Sequence, residues 1–113
     1  MIQRKTNASF LEKEAVLLKE WGDTDDIMIL IPVCKSGANA IRQKLTITLD
    51  SERKEAEKIE DPIERNKALA KCHYFNTKPI LIPINRLVEI YKIDVERIFK
   101  EAEKIRGYRK RKI

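Results

Sequence analysis

The residues best suited to recognising a ligand lie together in one stretch, Lys35-Ser-Gly-Ala-Asn-Ala-Ile-Arg-Gln-Lys44. Ser36 is a good N-cap, so the spacing predicts a helix that begins at Gly37 and runs through Leu45. At 100° per residue, Ala38, Ile41, Leu45 and Leu49 share one face; Ser36, Asn39, Ala40 and Gln43 fall opposite, with Arg42 and Lys44 on the flanks. An ordinary solvated face favours Glu and Lys. This one is amide and hydroxyl at its centre and cationic at its edges, a mixture that suits base edges met by amides and phosphates met by cations.

Other chemistry is poorly provided for. Cys34 and Cys72 have no CxxC companion, which argues against a zinc site or a disulfide framework and reads them as small buried or half-buried fillers. The one histidine, His73, follows Cys72, but neighbours on a helix point about 100° apart, a poor arrangement for a nucleophile and its base. There is no Gly-rich phosphate loop and no metal-ligand spacing, and Asp25/Asp26 and Glu60/Asp61 read as helix-start charges. The expectation is a non-enzyme with no catalytic residue, metal, cofactor or small-molecule substrate.

Charge placement says more than its total. The chain carries 24 Lys and Arg against 18 Asp and Glu. The two balance through residue 103, so Lys104, Arg106, Arg109, Lys110, Arg111 and Lys112 supply the whole net charge of +6. A terminal basic block suits a polyanion, because each cation on a phosphate releases condensed counterions.

A length of 113 residues bounds the chain to one domain, read as 1–106 followed by a basic tail over 107–113. With 37% charged and 42% apolar residues, three Gly and four Pro, it matches neither a disordered tract nor a disulfide scaffold. The apolar run Ile27–Cys34 is far below the ~20 residues that span a bilayer. No signal stretch opens the chain, so a cytoplasmic protein without membrane contact is expected.

The pattern of elements is mostly helical. Ala8 to Trp21 reads as a packing helix stopped by Gly22. Asp23 or Thr24 caps a second, which Pro32 ends by Ile31. The third starts at Ser36; Thr46–Leu49 is locally strand-like, but the strongly helical 51–60 can extend it as a charged rod. Asp61-Pro62-Ile-Glu64 spells a restart with a capping box, for a helix from Pro62 to about His73 that buries little. Tyr74-Phe75 and Ile80-Leu81-Ile82 predict a short hairpin with Lys78 at its tip. Asn85 caps a short helix, Arg86 to Tyr91, and Asp94 caps the last, with Ile93 and Ile98 as a hydrophobic staple.

The line Asp25-Asp-Ile-Met-Ile-Leu-Ile-Pro-Val-Cys-Lys-Ser-Gly-Ala-Asn-Ala-Ile-Arg-Gln-Lys-Leu45 resembles the helix-turn-helix of small excisionase-like proteins of bacterial mobile elements. Tyr74-Phe75 and the segment from Ile80 to Asp94 are similar to that family's wing strand, which ends in a proline and leads into a short helix. The resemblance covers about half the chain. It departs at Pro32, where a glycine commonly closes the first helix, and in the charged insertion from Ser51 to about Phe75, read as a dimerisation arm or a solvated extension.

The resemblance implies a mostly α, winged helix-turn-helix fold with a short β-hairpin wing and additional C-terminal helices, whose second motif helix enters the major groove. It implies that Asn39, Gln43 and Arg42 read bases. Lys35, Ser36, Lys44, Lys78 on the wing, and Arg109, Lys110, Arg111 and Lys112 would contact phosphate. The implied partner is double-stranded DNA, bound as a homodimer or cooperative array, beside an integrase or as a regulator of the element's own genes. Two other readings remain open. One is a non-catalytic helical adaptor or inhibitor of another protein; the other is an RNA-binding protein using the tail with Tyr74, Phe75 and Tyr108.

Overall fold

Six helices and one two-stranded antiparallel sheet follow one another as α1 (Phe10–Leu17), β1 (Trp21–Gly22), α2 (Thr24–Leu30), α3 (Lys35–Ala56), α4 (Pro62–Lys71), β2 (Ile82–Pro83), α5 (Ile84–Tyr91) and α6 (Val95–Lys112). The structure is a computed structural model that describes residues 8–112, with side chains through residue 107.

Each helix start has a local cause, though not always the expected one. Ser9 opens α1 with a full capping box, accepting from the Glu12 N–H while Glu12 accepts from the Ser9 N–H. Asp23 and Asp26 do the same for α2. Asp61 caps α4 by accepting from the Ile63 N–H, but the expected capping box with Glu64 does not form. Asp94 accepts from the Arg97 N–H at the start of α6. Two expected caps are displaced: Cys34, not Ser36, precedes α3, and Pro83, not Asn85, precedes α5.

The expected first helix is four residues too long. The helix ends at Leu17 with Leu18 as its C-cap, and Trp21–Gly22 enters a sheet instead, Trp21 opposite Pro83 and Gly22 opposite Ile82. Pairing with a strand some sixty positions away outweighs local helix continuation. Gly22 is therefore not a helix stop. A Cβ placed on it would stand 2.5 Å from Ile84 Cδ1 and 3.0 Å from Asp26 Oδ2. Its φ is not positive, so closeness of approach, not backbone freedom, excludes a side chain. Gly22→Ala is expected to cost about 1–2 kcal/mol through overpacking, read as a shift in denaturant midpoint at constant slope. An unchanged midpoint would mean that Ile84 yields freely.

The α3 rod is continuous. Leu45, Leu49 and Ala56 keep one buried face through the locally strand-like Thr46–Leu49, so packing overrides β propensity. The helix α4 contributes no buried residue, as its spacing predicts, and ends at Lys71. The expected hairpin shrinks to a single bridge in which Phe75 and Leu81 exchange backbone hydrogen bonds of 2.9 Å. Ile82 leaves that pair for Gly22. Lys78 sits exposed in the loop between the bridged residues.

Packing gathers Ile27, Leu45, Leu49, Ile82 and Leu87, all essentially inaccessible to water, from α2, α3, β2 and α5. Lys92 closes α5 in the left-handed region at φ 52°, and the Ile93 N–H donates to the Val88 carbonyl. The backbone of α6 continues without a break past residue 106, so the basic segment extends a helix packed on α1. Arg106 is tied to Glu14 of α1 and to Glu103, and both carboxylates raise its pKa. Side chains of Arg109, Lys110, Arg111 and Lys112 lie outside the described residues, as does the structure of Ile113. No helix among the described residues is long and apolar enough to cross a membrane.

Candidate nucleic-acid interface

Helix α2, the extended turn from Ile31, and the first turns of α3 form one braced unit, with Ile27 and Leu30 of α2 buried against the core that Ala38 and Leu45 enter from α3. The brace is reinforced electrostatically. Asp26 is buried, accepts from the Asp23 N–H at 3.1 Å and receives the Lys19 ammonium at 3.0 Å. That carboxylate, by accepting from Lys19, raises the lysine's pKa.

The face that α3 presents differs in detail from the expected one. Ser36, Ala40, Gln43 and Lys44 are exposed, as is Lys35. Asn39 and Arg42 are half-buried, Asn39 having moved off the outward centre onto the flank with Arg42. Positions 35, 39, 42 and 46 repeat at steps of four, three and four, which keeps them on one side of a helix. Lys35 and Lys44 are thereby split to opposite flanks, about 14 Å apart along the axis.

Two electrostatic features mark this end of α3. From Ile27 to Leu49 the chain contains no Asp or Glu. Among the described residues, Lys35, Arg42 and Lys44 enter no ion pair, a state they share with cations elsewhere such as Arg53 and Lys78. No side chain caps the α3 amides, so the positive end of the helix dipole is left to solvent or to an anion. Cys34 lies at the same helix start. It is exposed, against the expectation of a filler, and its pKa is lowered, first by the Ser36 hydroxyl at 3.2 Å and then by the Gly37 N–H.

No family model, curated protein or solved structure matches this chain.

Lys78 stands exposed and unpaired among the described residues, but on a different loop from the α3 cations. The structure therefore brings Lys35, Ser36, Asn39, Arg42, Gln43 and Lys44 onto one helix end. Among the described residues no group of three His, Cys, Asp or Glu could hold a metal. Cys72 is buried, and that burial raises its thiol pKa, while the adjacent His73 is exposed with its ring edge-on to Trp21 and Phe75.

Sequence reasoning missed the polar cluster on the other half of α3. Arg86 of α5 donates to both carboxylate oxygens of Glu52, at 2.7 and 2.8 Å, and to the Lys71 carbonyl at 3.0 Å. Its Nε stands 2.9 Å from Glu89 in an ion pair off the hydrogen-bonding direction. The guanidinium holds the Glu52 carboxyl below the usual carboxylate range. Residues 34 apart make the pair, so no local pattern announces it.

Proposed function

We propose that the protein binds duplex DNA as a winged helix-turn-helix, with α2 bracing α3 and the first turns of α3 in the major groove. The observation that carries this reading is the acid-free end of α3, where unpaired cations flank exposed amide and hydroxyl side chains. Lys35 and Ser36 contact phosphate at the helix start, where the uncapped amides also favour an anion. Gln43 and Asn39 pair with adenine edges and Arg42 with guanine or a phosphate, because amides and guanidinium each match those edges bidentately. Lys44 reaches the opposite strand's backbone. The loop from Phe75 to Leu81 acts as a reduced wing that carries Lys78 to phosphate, and the basic end of α6 adds Arg109 to Lys112.

On this reading the chain is not an enzyme. It serves an excisionase-like accessory role beside an integrase or regulates transcription, alone or as a homodimer or cooperative array.

A protein-adaptor reading draws on one specific observation. Ile47, 67% exposed, lies four residues beyond Gln43 on the outward line of α3 and would be wasted on a phosphate. Selection from a random duplex library at about 150 mM salt separates the two. An enriched motif is expected, its winner outcompeting scrambled duplex at every salt concentration. Failure to enrich, with weak binding that vanishes as salt rises, would overturn the DNA reading in favour of the adaptor.

A further inference from the structure

The flank of α3 that carries Lys35, Asn39, Arg42 and Thr46 continues one heptad further to Arg53, on the same side of the helix. Where it ends, a cavity of about 270 Å³ opens between α3, the end of α4 and the chain leading to the Phe75 bridge. Arg53, Leu69, Cys72, His73, Tyr74 and Asn76 line it.

The wall of this cavity is apolar at Leu69 and Cys72. Its mouth holds a guanidinium, an imidazole and a carboxamide. Among the described residues, none of these three side chains has a hydrogen-bond or ion-pair partner; His73 makes only ring contacts, to Trp21 and Phe75. Burial raises the pKa values of Cys72 and Tyr74, Glu52 and Asp50 respectively raise them further, and Arg53 draws both down.

The carboxylates near Arg53 make no ion pair with it among the described residues: Glu55 pairs with Lys58, and Glu57, one turn on, is exposed. Asp50 accepts from the Tyr74 hydroxyl through both oxygens, at 3.0 and 3.1 Å, and Glu52 is held by Arg86. Arg53 thus makes no ion pair beside two further donors and an apolar wall, with Glu57 one turn away.

We propose that this cavity is a binding site for a phosphate group. A guanidinium forks onto two phosphate oxygens, and imidazole and amide N–H groups complete the shell as further donors. The group comes either from a nucleic-acid backbone or from free phosphate, and the chemistry of the site is the same for both. Arg53 lies about 27 Å along the helix from Lys35, well beyond the ~12 Å width of a major groove. A backbone phosphate held here would therefore lie outside the groove entered by the first turns of α3. Free phosphate alone would satisfy the site, so the proposal stands apart from the DNA reading.

The test titrates inorganic phosphate into the full-length, isotope-labelled protein, with chloride keeping the ionic strength constant. Saturable shifts of the Arg53, His73 and Asn76 side-chain resonances are expected in the millimolar range. They should be lost in Arg53→Gln and weakened severalfold in Asn76→Ala. Asp50→Asn removes the opposing charge while keeping an acceptor for Tyr74, and should tighten phosphate severalfold. Melting curves of the variants matching the parent confirm folding.

A second arm measures non-specific duplex affinity against salt. A slope about 0.9 less steep in Arg53→Gln assigns the phosphate to a nucleic-acid backbone. Saturable phosphate binding with an unchanged slope, or with no duplex binding at all, assigns it to free phosphate. Shifts that do not saturate and are the same in Arg53→Gln, together with an unchanged slope, would overturn the proposal.

Discussion

Replacing Gln43 or Asn39 by alanine is expected to lower affinity for the selected duplex by about 1–3 kcal/mol, roughly 5- to 150-fold, while binding to scrambled duplex stays the same. On the proposed DNA reading, the asymmetry follows from the base-edge contact assigned to each amide. A bidentate contact to a base edge discriminates sequence, whereas the sequence-independent part of binding comes from phosphates and counterion release. Alanine is a better helix former than either residue, so a loss of binding would not stem from a weakened α3. Gln43 is exposed and makes no side-chain bond that the substitution removes, which makes it the cleaner of the two. Asn39 is half-buried, so its variant needs a melting curve beside the affinity. Titrations of specific and scrambled duplexes at matched salt check the result. An equal loss on both would move these residues from base reading to general contact.

Arg86→Ala is expected to destabilise the fold by about 2–3 kcal/mol, lowering the melting temperature on the order of 10–20 °C. The guanidinium is largely buried and its two parallel bonds to Glu52 join α5 to α3, while its third bond holds the Lys71 carbonyl at the end of α4. Because Glu52 is 40% exposed, water recovers part of the loss, and the cost stays below that of a fully buried pair. α4 should suffer most, since it buries no side chain of its own, and its amides should exchange earlier than those of α2.

The pH dependence has a definite sign. Arg86 depresses the folded-state pKa of Glu52 from its ordinary value of 4.5, so this contribution is complete above that value and drains away as pH falls below it. Acid melts of Glu52→Gln should therefore fall less steeply below about pH 4.5. A cost under ~0.5 kcal/mol for Arg86→Ala would reduce the pair to an ordinary surface contact.

Much of the fold was legible because it rests on short-range physics. Asp23 with Asp26, Asp61 with Pro62, and Asp94 satisfy orphan amides within one turn, and Pro32 forces Ile31 out of the helical region, so α2, α4 and α6 begin or end close to where local rules put them. The buried face of α3 was equally readable, since Ala38, Leu45 and Leu49 recur at helical spacing. The cationic and amide residues of the candidate interface came with that same periodicity.

The misses share a different cause. Trp21–Gly22 left a plausible helix because Ile82–Pro83, distant in sequence, offered its backbone bonds, and the same exchange removed Ile82 from the expected hairpin. Asn39 is half-buried beside the buried Ala38, where packing on the core, not local spacing, sets its exposure. The amino-acid sequence by itself determined the starts of α2, α4 and α6 and the apolar stripes, which depend on neighbours within about four residues, and the uneven placement of charge. Only the tertiary structure decided the pairing of β1 with β2, the Arg86–Glu52 tie and the unpartnered Arg53 beside His73 and Asn76. These depend on which distant groups win a common partner, and that competition is settled when the whole core packs.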